Sequence, residues 1–265
     1  MKINLSYFRY IAAAFLLKIF SINTFTKKIY RIIGNYIGNK THSFVKDTDF
    51  ERGFWLYNAV SNNVINCNEK SKFLELGTGW NHFYGIFLRH FINAKFILFD
   101  IQDNRQWLAT KKRFNDLYRK ISNINFVSLD KEELKFTAGT VANKIEKANS
   151  FNKLYSMLDI EYILEPNGNL VNFSDSEFDV VFSVDVLEHI NSHNLSDTIK
   201  NIYRILKPGG FSIHQIGIDD HLTHYATKMS PKQYLSYSDK IWKLLFHNEL
   251  QYFNRKQASE YLLLF

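Results

Sequence analysis

From residue 72 onward, short apolar runs alternate with stretches of helical period. Lys72–Leu76 is an apolar run closed by Gly77-Thr78-Gly79. A helix-compatible stretch over 83–91 follows, and Lys95-Phe96-Ile97-Leu98-Phe99 is a second apolar run that ends at Asp100. Ile160–Leu164, Phe178–Val184 and residues 211–218 are three further strand candidates. Residues 190–206 read as a helix stopped by Lys207-Pro208-Gly209-Gly210. Strands alternating with helices predict an α/β fold, a doubly wound, mostly parallel sheet covered on both faces. Residues 103–157 form a long helical excursion between the second and third strands. Residues 1–70 read as mostly helical, with breaks at Gly34, at Gly38 and around Asn62-Asn63. The expected organisation is a helical N-terminal extension over 1–70 and an α/β domain over 71–265, with its insertion at about 103–157.

Composition narrows this picture. Of 265 residues, 46% are apolar and 22% charged, which excludes disorder and fibrous repeats. The single cysteine, Cys67, excludes an intramolecular disulfide and a multi-thiolate zinc site and fits a reducing, cytoplasmic compartment. The net charge of +7 is unevenly placed: eight of the 33 Lys and Arg lie in residues 1–46, which hold no acid. The remainder, 25 bases against 26 acids, is near neutral. Such a segment faces phosphates, lipid headgroups or an acidic partner, or is a solvated basic helix.

The longest uncharged apolar stretch near the N-terminus, residues 10–17, is too short for the roughly 20 residues of a spanning helix. A secretory cleavage site is not evident after it. Phe8, Ile11, Phe15 and Ile19 recur at helical spacing, with Arg9 and Lys18 elsewhere on the wheel. That pattern suits an amphipathic helix, lying in a membrane interface or docked on the protein's own core.

Two blocks carry candidate chemistry. In the first, a strand ends in Gly77-Thr78-Gly79, and Asp100 closes the next strand about 20 residues on. The glycines permit a tight turn and close approach of a ligand, and the acid suits ribose hydroxyls. The third glycine of a dinucleotide site is missing, with Asn81 or His82 near its place. The turn holds no base, and Glu75 disfavours a phosphate while suiting an amino-bearing ligand. A nicotinamide oxidoreductase is therefore disfavoured. The second block is Phe178-Asp179-Val180-Val181, then Leu187-Glu188-His189, then Leu206-Lys207-Pro208-Gly209-Gly210.

Taken in order, these blocks resemble the class I S-adenosylmethionine-dependent methyltransferases, with their Rossmann-like sheet. The resemblance implies that Glu75, Gly77, Thr78 and Gly79 line the methionine part of the cofactor. Asp100 would hold the ribose, Ile101 would face the adenine, and Ser183 and Asp185 would sit near the methyl group. An acid that meets the adenine amine in the family falls here on Asn167, with Glu165 nearby. The stretch from Asp219-Asp220-His221-Leu222-Thr223-His224 to Tyr237-Ser238-Asp239 and Asn254-Arg255 looks like a bacterial subgroup with a DHxxH segment after strand five. Gly217 stands where that pattern has an acid. The family has seven strands; residues 219–265 offer no place for the last two. An unpaired strand-five edge, loosely packed residues 262–265 and low solubility are therefore expected.

The expected activity is methyl transfer from S-adenosylmethionine to a hydroxyl of a small molecule or saccharide. His189, Asp220 and His221 are the candidate catalytic residues, since a neutral imidazole or a carboxylate can take the hydroxyl proton. His189 serves equally as a helix-start residue. Asp220, His221 and His224 also have metal-ligand types, but Asp-rich caps produce the same pattern, and no metal site is assigned. Nucleic acid is not expected as a partner, whereas peripheral membrane contact through residues 1–46 is. The alternative is a non-catalytic scaffold or regulator that binds the cofactor without turnover.

Overall fold

The computed structural model describes residues 5–41, 43–63, 67–123 and 131–265, except for the side chains of 39–41, 63, 122–123 and 131–138. Lys2 and residues 124–130 of the expected excursion lie outside the described residues, as does the side chain of Lys40. Three helices come first: α1 (Leu5–Phe20), α2 (Thr24–Thr41) and α3 (Asp47–Asn63). α2 runs through Gly34 and Gly38, so neither glycine breaks the helix as expected. The alternation then begins with β1 (Lys72–Leu76), α4 (Phe83–Arg89), β2 (Lys95–Asp100), α5 (Trp107–Asn123), α6 (Lys131–Lys147) and α7 (Phe151–Leu158). It continues with β3 (Ile160–Leu164), β4 (Phe178–Val184), α8 (Ser192–Ile205), β5 (Leu206–Gln215), α9 (Asp239–Leu245) and α10 (Ala258–Leu262).

The five strands form one all-parallel sheet in the order β3-β2-β1-β4-β5, the doubly wound arrangement expected. β5 starts five residues earlier than expected. Leu206 pairs with Phe178 and Phe211 with Val180, so residues 207–210 bulge out between two paired positions. Gly209 has φ 79°, which the bulge requires. Among the described residues no sixth or seventh strand is present, and β5 is an edge.

The chain forms two compact units. The sheet unit comprises Asn35–Val184 and Lys200–Gln215. Alternate strand residues point to opposite faces. Phe73, Phe96, Leu98, Val180 and Phe182 pack against helices α3 to α7. Leu74, Leu76, Ile97, Phe99 and Val181 pack against Leu170, Phe173, Ile202 and Ile205. Leu56 and Val60 of α3 belong to this core, so the division does not fall at residue 70.

The second unit comprises Met1–Gly34, Asp185–Ile199 and Ile216–Phe265. α1 docks there through Tyr10, Ala13, Ala14 and Leu17 onto Leu222, Tyr234, Trp242 and Phe246. The segments around Tyr237-Ser238-Asp239 and Asn254-Arg255 are knitted together. Ser238 caps α9 through the Ile241 N–H, Arg255 donates to the Tyr234 and Tyr237 carbonyls and pairs with Asp239, and its guanidinium lies over Trp242. α10 is preceded by Gln257 at its N-cap, whose N–H donates to the Glu260 carboxylate. Tyr261 is buried, whereas Leu262 and Leu263 are 77% and 87% exposed.

Candidate functional site

At the carboxyl end of β1, Gly77 and Gly79 take left-handed φ values of 65° and 69°. A Cβ at Gly79 would meet nothing nearer than 4.0 Å, so the backbone is open at Gly79, while Thr78 is buried. Asp100 closes β2 beside it. Its carboxylate accepts from the N–H groups of Gly79 (2.7 Å), Ile101 (2.7 Å) and Gln102 (3.1 Å). Burial pushes its pKa up, while those three donors pull it down. Ile101 is half exposed beyond the strand end. Glu165, Asn167 and Gly168 form a tight turn there, with the Gly168 N–H on the Glu165 carbonyl and the Asn167 N–H on the Glu165 carboxylate.

Glu75 is buried beneath the turn. Its Oε2 accepts from the Thr78 hydroxyl (2.9 Å) and the Gly85 N–H (3.1 Å), which ties the turn to the start of α4. A side chain at Gly85 would bring a Cβ within 2.5 Å of that oxygen. Burial raises the Glu75 pKa to about 8, against the pull of its two donors. His82 stands near the place of the missing third glycine and adopts a glycine-like φ of 50°. Its ring is buried, with Nδ1 2.8 Å from the Tyr155 hydroxyl, and burial lowers its pKa to about 3. Sequence reasoning saw only the absent glycine. The aromatic cluster of Tyr155, Tyr162 and Phe151 around His82 comes from residues 69 to 80 positions away.

Ser183, which the resemblance sets near the methyl group, lies in β4. It is fully buried, and its hydroxyl lies 2.8 Å from His214 Nδ1. The structure thus brings Glu75, Gly77, Thr78, Gly79, Asp100 and Ile101 together at the ends of β1 and β2, with Ser183 buried in neighbouring β4.

The remaining candidates belong to the second unit. Asp185 follows β4 with a left-handed φ of 55°. Leu187–His189 is a single tight helical turn. Asn254 anchors it: its Nδ2 donates to the Leu187 and Ile190 carbonyls and its N–H to the Glu188 carbonyl. His189 is exposed, with Nδ1 2.6 Å from the Tyr252 carbonyl. His221 packs against His189 and Phe253, each ring centroid 4.9 Å away, and burial lowers its pKa to about 4. Asp220 departs from its expected role. It is fully buried, accepts the Tyr10 hydroxyl at 2.6 Å, and caps the following turn through the Leu222 N–H at 3.0 Å. A carboxylate so enclosed touches no acceptor, so Asp220 is corrected from a catalytic residue to one that holds α1 and the 221–225 turn. Sequence reasoning missed Glu188, which is buried and accepts the Gly217 N–H at 2.9 Å. A Cβ at Gly217 would lie 2.5 Å from that carboxylate, which accounts for glycine at a position where the resembling pattern has an acid.

Residues 140–214 match the family described as a methyltransferase domain, whose cofactor is S-adenosylmethionine. The match takes in β3, β4 and all but the last residue of β5, three of the five strands, and includes neither the glycine turn nor Asp100. No curated protein matches the chain. Among solved structures, a proposed sarcosine dimethylglycine methyltransferase from Galdieria sulphuraria is 17% identical over 61% of this chain and 44% of its own, with a TM-score of 0.36. A Haemonchus contortus phosphoethanolamine N-methyltransferase 2, solved with phosphomonomethylethanolamine and S-adenosylhomocysteine, is 16% identical over 79% of this chain and 35% of its own, with a TM-score of 0.42. PKMT2 from Rickettsia typhi, solved with S-adenosylhomocysteine, is 12% identical over 70% and 35%, with a TM-score of 0.33. The chain therefore spans less than half the length of each of these three.

Proposed function

We propose that this chain is an S-adenosylmethionine-dependent methyltransferase that acts on a hydroxyl of a small molecule or saccharide. The arrangement of Asp100 over the Gly77-Thr78-Gly79 turn, whose backbone is open at Gly79, carries the reading. A carboxylate offers about four acceptor positions, and three are filled by N–H donors. One ribose hydroxyl can join without displacing a donor. Glu75 behind the turn, ionised as a cation binds, supplies negative charge suited to the ammonium of a methionine moiety, and exposed Ile101 supplies an apolar face for adenine. The methyltransferase-domain match over residues 140–214 supports the same assignment.

Methyl transfer from a sulfonium needs little covalent help; alignment and exclusion of water supply most of the acceleration. His189 is the proposed proton acceptor. Its Nδ1 is committed to a carbonyl, which leaves the Nε2 lone pair for the acceptor hydroxyl. Incubating the full chain with S-adenosylmethionine and a panel of saccharides, and reading S-adenosylhomocysteine release, tests the reading. Release with an acceptor supports it. Binding of the cofactor with no release on any acceptor favours the non-catalytic alternative.

The N-terminal segment is proposed to contact an anionic membrane surface. No described helix is long and apolar enough to cross a membrane. α1 docks through one face, while Leu5, Phe8, Phe15 and Ile19 line another, and exposed Ile22 follows the helix; Phe8 and Phe15 are each 63% exposed. Arg9, Lys28 and Arg31 are exposed in the same segment. Exposed aromatics and aliphatics beside uncompensated bases are what a headgroup layer binds.

A further inference from the structure

Glu188, His189 and His221 each offer a ligand atom within 4.8 Å of the other two. A point therefore exists within about 2.8 Å of all three, against roughly 2.0–2.2 Å for imidazole and carboxylate ligands of zinc, so closure needs less than about 1 Å of movement per side chain. Glu188 is only 2% exposed. Its Oε1 accepts the Gly217 N–H, while Oε2 is buried with no hydrogen-bond partner among the described residues. A buried carboxylate oxygen left in that state is costly, and a cation resolves it. His189 is oriented as a metal-binding histidine usually is. Its Nδ1 can only donate to the Tyr252 carbonyl, which fixes the tautomer that presents Nε2 as a ligand. Asn254 holds the Leu187–His189 turn through three hydrogen bonds, so two of the three ligands ride on a braced segment. His189 is exposed and gives a cation access from solvent.

From this geometry we propose that Glu188, His189 and His221 form a binding site for a divalent first-row transition-metal cation. Two imidazoles and one carboxylate suit zinc and its neighbours rather than calcium or magnesium, which prefer oxygen alone. The set differs from Asp220, His221 and His224, the ligand-type residues that lie close together in the sequence. Both Asp220 oxygens are already engaged, by the Tyr10 hydroxyl and the Leu222 N–H. Three protein ligands leave coordination positions open for water or an acceptor oxygen. The site goes beyond the cofactor reading and stands without it; with a cation bound, His189 Nε2 is a ligand and no longer a free base.

The test is calorimetric titration of the chelator-treated, dialysed full chain with zinc chloride, alongside the visible absorption of the cobalt(II)-loaded protein. One equivalent of zinc is expected. His189→Ala and His221→Ala should each weaken binding at least ~10-fold and abolish the cobalt spectrum, while His193→Ala, at an exposed histidine outside the cluster, binds as wild type. Glu188→Gln, close in shape, supplies a third variant, and circular dichroism confirms that each variant is folded. No zinc binding by the wild-type chain, or equal binding by folded His189→Ala and His221→Ala, overturns the proposal. S-adenosylhomocysteine binding measured on the same preparations separates failure of the metal site from failure of the cofactor reading.

Discussion

Replacing Asp100 by alanine removes the group on which the cofactor assignment turns. Three backbone donors, from Gly79, Ile101 and Gln102, hold its carboxylate at the end of β2. With about four acceptor positions in all, one remains for a ribose hydroxyl. A hydrogen bond to a charged acceptor is worth roughly 1.5–3 kcal/mol, and each ~1.4 kcal/mol is tenfold in affinity, so Asp100→Ala should weaken cofactor binding roughly 10- to 100-fold. A second ribose bond would require one N–H to let go and would add little beyond that range. The fold should persist, because Ile101 is exposed and Gly79 and Gln102 are not fully buried, so water can replace the lost acceptor. The assay is calorimetric titration with S-adenosylhomocysteine, with Asp175→Ala as the control. Asp175 is an exposed acid paired with Arg204, remote in sequence from the turn, and its loss should leave affinity unchanged. Wild-type affinity in a folded Asp100→Ala protein would refute the ribose role.

Further predictions follow from the buried titratable groups and the N-terminal charge. Glu75, with a pKa raised to about 8, is largely protonated at pH 7 in the free protein. A cationic ligand lowers that pKa, so affinity should rise with pH up to about 8 with release of up to one proton. Binding heats in buffers of different ionisation enthalpy measure the release, and Glu75→Gln should abolish it. His90 is buried, with Nδ1 on the Ile86 carbonyl and a pKa lowered to about 4. Its unfolded form takes up a proton near pH 6.5 that the native form refuses, so stability is lost as pH falls from about 6.5 toward 4. Each pH unit in that window costs up to about 1.4 kcal/mol, and urea unfolding of His90→Gln should show a correspondingly shallower acid slope. Vesicles containing acidic lipid should bind the intact chain in a salt-sensitive manner. They should lose it when Phe8 and Phe15 are replaced by serine and Arg9 and Arg31 by glutamine; equal binding by that variant would contradict the membrane proposal.

The sheet was readable because its signals are local. Apolar runs of five to seven residues, a glycine turn and a terminal acid stand in the sequence wherever the chain goes next. What escaped depends on distant partners. Gly34 and Gly38 cost α2 roughly 1 kcal/mol each in helix propensity, which surrounding structure can override. β5 begins at Leu206 because Phe178 pairs with it, and no local pattern announces a four-residue bulge around Pro208. Helix α3 looked like part of a separate extension, yet Leu56 and Val60 lie in the core of the sheet unit. In the candidate site, the adjacency of the turn glycines and Asp100 was legible by spacing. Asp220 was misread because its enclosing partner, Tyr10, lies 210 residues away. Glu188 went unnoticed because its burial depends on Gly217 approaching without a side chain.

The central claim is that this chain binds the methyl donor through the β1–β2 end of its sheet. Calorimetric titration of the full wild-type protein with S-adenosylhomocysteine, and in parallel with NAD, tests it most directly. Saturable one-to-one binding of S-adenosylhomocysteine, weakened at least ~10-fold by Asp100→Ala, together with no binding of NAD, is the predicted result. Absence of S-adenosylhomocysteine binding by the folded wild-type chain, or preference for NAD, would contradict the account.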